Sequence, residues 1–74
     1  MQRDAPGPIR VVVNGEDELL DAGATVATVV DRLCPSPSGI AVARNREVVP
    51  RGVWSSTVLE VDDRIEIVTA AAGG

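Results

Sequence analysis

The chain closes on Ala70-Ala71-Ala72-Gly73-Gly74, five small residues that follow directly on the strand-like run Arg64-Ile65-Glu66-Ile67-Val68-Thr69. This is where the sequence offers a reactive group. A carboxylate on Gly74 is a chemical handle, and Gly73, lacking a Cβ, lets the backbone thread a slot too narrow for other residues. A packing role is hard to assign to such a segment, because chain ends contribute little to a core. The competing reading is a frayed end that happens to be small and uncharged. Taken alone, the tail weighs the two equally.

Few other groups compete for a chemical role. Histidine, the commonest general base, is absent, and all seven cationic residues are arginines, so no lysine is available either. A pocketed active site is not expected in so small a chain without His or Lys; the chain is expected not to be an enzyme by itself, with no catalytic residue and no metal site. Cys34 is the only cysteine, so neither an internal disulfide nor a zinc cluster is possible. It reads better as a small hydrophobe than as a sulfur relay, since no neighbour in sequence favours a thiolate. The acidic sets Glu16-Asp17-Glu18 and Glu60, Asp62, Asp63 read as solvated loops rather than cation or docking sites. A net charge of −4 argues against nucleic acid. No apolar run approaches the ~20 residues of a membrane span, and the first residues lack the apolar stretch of a signal peptide. A soluble, cytoplasmic protein is expected.

The elements that would position the tail follow from pattern and turn chemistry. Residues 1–8 are rich in proline and glycine and read as a flexible extension. Ile9-Arg10-Val11-Val12-Val13 is strand-like, Asn14-Gly15 is a strong signal for a tight hairpin, and Glu16 to Leu20 forms the returning strand. Thr25 is a good helix N-cap, and Val26, Val29, Val30 and Leu33 line one helical face. Pro35 and Pro37 end that helix. Ile40 to Ala43 and Glu47 to Val49 are short strands about the turn Arg44-Asn45-Arg46, with Pro50 confining the second to an edge or a strand end. Arg51 to Leu59 reads as irregular, anchored by Trp54, the sole aromatic, and by Leu59. In the last strand Ile65 and Ile67 alternate with Arg64 and Glu66, the pattern of one buried and one wet face.

The order is ββαββ, and its economical solution is an α+β, β-grasp (ubiquitin-like) mixed sheet over one helix. The first and last strands then pair in parallel at the centre, across a right-handed crossover. Residues 9–69 would form the domain, and residues 70–74 a flexible tail reaching at most roughly 20 Å from it. On the outward face, Arg64, Glu66 and Val68 share one side of the last strand, and Val12 lies between Arg10 and Asn14 on the first. Val12 and Val68 are expected to make an exposed apolar patch beside the tail exit, a docking face for a partner.

In this order and spacing the residues resemble the ubiquitin-like sulfur-carrier proteins of thiamin (thiazole) biosynthesis, the ThiS type. The resemblance rests on Val13-Asn14-Gly15-Glu16, Gly39-Ile40-Ala41-Val42-Ala43 with Asn45, and Glu47-Val48-Val49-Pro50-Arg51. It continues through Trp54, Thr57, Leu59, Asp63-Arg64-Ile65-Glu66-Ile67-Val68 and Gly73-Gly74. It implies that an E1-like adenylating enzyme (ThiF type) joins the Gly74 carboxylate to AMP. ATP and magnesium are used in that partner's site, and no cofactor is held by this chain. Sulfur from a cysteine desulfurase persulfide system then gives a C-terminal thiocarboxylate, which serves thiazole synthase (ThiG type). Asp62 stands where the family usually has glycine, Arg44, Arg46 and Gly52 are less typical surface choices, and residues 70–72 are plainer than the usual tail. The sulfur-carrying small subunit of molybdopterin synthase ranks second, because its tail commonly carries prolines. A ubiquitin-like protein modifier and a passive interaction module of the same fold are further alternatives.

Overall fold

The computed structural model describes residues 7–34, 36 and 38–69. Among these residues five strands and two helical segments follow in the order β1 (Ile9–Val13), β2 (Glu16–Leu20), α1 (Val26–Leu33), β3 (Ile40–Arg44), β4 (Glu47–Val49), a 3-10 helix (Arg51–Ser56) and β5 (Arg64–Thr69). The strands form one sheet in the order β2-β1-β5-β3-β4. The last strand therefore lies at its centre, parallel to β1 and antiparallel to β3.

The β1–β2 hairpin turns on Asn14 at φ 51° and Gly15 at φ 85°, both in the left-handed region that a type I′ turn needs. The β3–β4 hairpin repeats the device with Asn45 at φ 51° and Arg46 at φ 74°. Here arginine occupies a position that glycine adopts more readily.

Helix α1 begins with a capping box. The Thr25 hydroxyl accepts from the Thr28 N–H at 3.3 Å, and the Thr25 N–H donates to the Thr28 hydroxyl at 3.0 Å. Three valines each lower helix propensity by about half a kcal/mol relative to alanine. Val26, Val29 and Val30 are all fully buried against the sheet, and burial of each contributes on the order of 1.5 kcal/mol or more. Packing wins over propensity. The helix is short and rests on Val11, Val13, Val42 and Ile65 beneath it.

Two details depart from the sequence pattern. Leu33, on the expected buried face, is 39% exposed; it is the last residue of α1 and lines an open cleft rather than the closed core. Within the stretch read as irregular, Arg51–Ser56 is a 3-10 helix with Trp54 buried at its heart, and only Thr57 to Leu59 lack regular structure beyond one bridge at Val58. The indole N–H donates to the Val49 carbonyl at 2.8 Å, which ties this segment to edge strand β4, and the Arg51 guanidinium lies 4.5 Å from the ring centroid. No helix among the described residues is long and apolar enough to cross a membrane.

Candidate functional site

The scaffold of the candidate site is β5. Its inward side chains alternate with its outward ones: Ile65 is buried and Ile67 half-buried, whereas Arg64, Glu66 and Val68 are exposed. Gly73 and Gly74, with the whole segment 70–74, lie outside the described residues, as do residues 1–6. What the structure does place is the strand from which that segment continues, and it is held along both edges.

On the β3 side the pairing runs from Arg44↔Ile65 to Ile40↔Thr69. The start of β5 is closed by Asn45, whose N–H donates to the Arg64 carbonyl at 2.7 Å while its Oδ1 accepts from the Arg64 N–H at 2.9 Å. On the β1 side the ladder pairs Val12↔Arg64 and Val13↔Ile65, and the Asn14 N–H donates to the Ile65 carbonyl at 2.9 Å. Beyond it the Asn14 side chain bonds the backbone of Ile67, accepting at 2.8 Å and donating at 3.3 Å. Two hairpin asparagines thus grip the central strand, one near each end. Their sequence signal was the turn; the second role has a partner 53 residues away in one case and 19 in the other.

Asp63, read from sequence as a solvated loop carboxylate, is instead buried at 6% exposure. It accepts from the Arg44 Nε at 2.8 Å, the Asn45 Nδ2 at 3.0 Å and the Glu60 N–H at 2.8 Å. Burial pushes its pKa up, but the bonds from Glu60, Asn45 and Arg44 outweigh it and hold the carboxyl below its ordinary value. Arg44 is accordingly a half-buried partner of Asp63 rather than a surface choice. The burial arises because the β3–β4 turn folds over the start of β5, and donors from that hairpin and from the Glu60 loop meet there. Asp62 behaves as sequence suggested, at φ 70° with an exposed Arg10 pair at 3.1 Å. That bond to Asp62, with the nearby Asp17 charge, raises the Arg10 pKa.

Val12 and Val68 both belong to the outer sheet face, but the register does not bring them together. Val12 lies opposite Arg64, four positions before Val68, which is about 13 Å along the strand. Val12 is half-buried between Asp17 and Arg64, a charged neighbourhood. Val68, 58% exposed, pairs with Ala41, while Ala43 links Glu66 to Val48 on β4, itself 75% exposed. These small apolar side chains line one shallow depression with Val68. Period-two alternation in β3 and β4 was the signal that would have put Ala41, Ala43 and Val48 there.

Cys34 is half-buried and packs against the core at the end of α1. With Val13, Asn14, Leu33 and Ile67 it lines a cleft under the end of β5. Among the described residues no group of three or more Cys, Asp or Glu side chains is arranged to hold a metal ion.

With this geometry in view, the comparisons with known proteins are informative. A thiazole synthase of Magnetococcus marinus is 38% identical over 66 residues, covering 89% of this chain and 20% of the relative; one of Paramagnetospirillum magneticum is 32% identical over the same shares. The chain thus spans about a fifth of the length of these relatives. The sulfur carrier protein ThiS of Escherichia coli is 29% identical over 66 residues, covering 89% of this chain and all of that one. The crystal structure of the thiamine biosynthesis protein ThiS of Geobacter metallireducens superposes with a TM-score of 0.77 at 23% identity, over 89% of this chain and all of the other, which establishes the shared β-grasp fold. The ThiS family model matches residues 6–74, essentially the whole sequence, and the chain belongs to the ThiS family.

Proposed function

We propose that this protein is a sulfur carrier of thiamin biosynthesis whose working group is the carboxylate of Gly74. The observation that carries the reading is the family match running through residue 74, on a scaffold whose central strand ends at Thr69. Residues 9–69 act as the body that partners recognise, residues 1–8 as an extension, and residues 70–74 as the arm that enters each partner.

The chemistry follows from the weakness of a carboxylate as an electrophile. In the site of an E1-like adenylating enzyme, a Gly74 oxygen attacks the α-phosphorus of ATP, with magnesium there to neutralise charge, and pyrophosphate leaves. The terminal sulfur of a cysteine persulfide, loaded by a desulfurase, then attacks the acyl carbon and AMP leaves. The resulting acyl disulfide is opened by a second thiol, which takes the partner's sulfur into a disulfide and frees the thiocarboxylate on Gly74. That anion is a nucleophile and carries its sulfur to thiazole synthase. The two relatives named thiazole synthase, each containing a segment like this chain, support that enzyme as acceptor. The chain itself is a co-substrate rather than an enzyme. Gly73 gives the arm the slim profile that threading requires. Docking runs over the outer sheet face, with Val68 in its apolar part and Val12 at its charged margin.

The test is the intact mass of the protein after incubation with an E1-like adenylating enzyme, ATP, magnesium and a persulfide donor. The expected gain is sulfur in place of one oxygen, abolished by deletion of Gly74. An unchanged mass with a partner demonstrably active on another carrier refutes the reading.

A further inference from the structure

The Asn14 side chain occupies the place where a strand would have continued. In a parallel ladder the carbonyl of residue 14 would next accept from the Ile67 N–H, and the N–H of residue 16 would donate to the Ile67 carbonyl. β1 does not supply them, because Asn14 enters the left-handed region to begin the hairpin. A carboxamide carries the same C=O and N–H pair as a peptide group. It takes both positions: Oδ1 accepts from the Ile67 N–H at 2.8 Å and Nδ2 donates to the Ile67 carbonyl at 3.3 Å. The turn alone does not require this, since glycine and aspartate also suit the first central position of a type I′ turn.

We propose that Asn14 is a positioning residue for the reactive arm. It carries the β1-side bonding of β5 two residues past the backbone ladder, to within two residues of Thr69, and so fixes the end of the strand from which residues 70–74 continue. The inference rests on the reading of Gly74 as the group a partner activates. A strand bonded on one edge only pivots at its end, and the angular spread is amplified over an arm of up to roughly 20 Å. Entry into a narrow site then has to select the fraction of orientations that fit, which weakens productive binding. Once Gly74 has arrived, the chemistry belongs to the partner. Loss of the clamp therefore raises KM for the carrier and leaves kcat nearly unchanged.

The experiment compares the full chain with Asn14→Gly, which keeps the turn and removes both side-chain bonds, and Asn14→Asp, which keeps the acceptor and loses the donor. Val49→Ala, a core truncation on edge strand β4 that leaves both Asn14–Ile67 bonds in place, serves as a control for general destabilisation. Hydrogen exchange at the Ile67 amide is expected to quicken roughly ten-fold in Asn14→Gly and less in Asn14→Asp. In ATP–pyrophosphate exchange with an E1-like adenylating enzyme, Asn14→Gly should raise KM roughly ten-fold with kcat within about two-fold. Asn14→Asp should fall between, and Val49→Ala should lower the melting temperature while leaving KM in place. An active wild type with unchanged KM in Asn14→Gly, despite faster exchange at Ile67, overturns the positioning role alone. A wild type that is never adenylated by an active partner overturns the sulfur-carrier reading, and the positioning role falls with it.

Discussion

Replacing Asp63 by asparagine preserves shape and removes the charge at the junction of three segments. The carboxylate accepts from the Arg44 guanidinium, the Asn45 amide and the Glu60 N–H. The amide can keep its oxygen toward Arg44 and Glu60, which share one carboxylate oxygen, and then turns its NH2 toward the Asn45 Nδ2. One charge-assisted bond is lost, on the order of 2 kcal/mol, and one buried donor faces another at about 1 kcal/mol more. Arg44 is 29% exposed, so water recovers part of its solvation, and roughly 3 kcal/mol is an upper figure. A domain of this size holds about 4–11 kcal/mol in total. A loss of that size lowers the melting temperature by roughly 15 °C.

The assay is thermal unfolding followed by the fluorescence of Trp54, the only aromatic and a buried one, repeated across pH. The Asp63 carboxyl titrates lower in the folded than in the unfolded chain. Between those two values the unfolded state binds more protons, so stability rises with pH. The contribution of Asp63 is complete above the unfolded carboxylate pKa of about 3.9 and is lost as pH falls through the lower folded value. The gap between wild type and Asp63→Asn should therefore be full at pH 7 and close progressively in acid. Equal melting temperatures at pH 7, or a gap independent of pH, would show that the Asp63 cluster does not hold the fold as described.

Asp62→Gly should stabilise the protein slightly, because Asp62 sits at φ 70° where a side chain costs about 1 kcal/mol and its pair with Arg10 is exposed; a clear drop in melting temperature would instead mark the Arg10 pair as the stronger effect. Val68→Asp should reduce kcat/KM for adenylation roughly ten-fold or more, a charge being placed among apolar neighbours. Its melting temperature should stay within a few degrees of wild type, since Val68 is exposed. Val12→Asp, flanked by Asp17 and Arg64, should impair adenylation less, and equal effects at the two positions would contradict a patch centred on Val68.

Most of the fold was legible because its signals are local. Asn14-Gly15 specified a turn, Thr25 and the valine spacing specified a capped helix, and Pro50 specified the end of an edge strand. Alternation in β5 assigned its two faces correctly. Where the reading went astray, the determinant was another segment. Nothing adjacent to Asp63 distinguishes it from Asp62, yet one is buried and the other exposed. The difference is made by a hairpin turn arriving from 18 residues away. The 3-10 helix after Pro50 depends likewise on the docking of Trp54 onto β4.

The sequence by itself determined the element order, the turn chemistry and the faces of the strands, because each follows from steric and hydrophobic preferences acting over a few residues. Tertiary structure alone decided the register between β1 and β5. That register separates Val12 from Val68, gathers Val68 with Ala41, Ala43 and Val48, and sets the Asn14 carboxamide on the backbone of Ile67. Registry is a long-range quantity: it is set when the inward side chains of two distant strands must fill one core together, and no local pattern along the chain encodes where the outward ones will then meet.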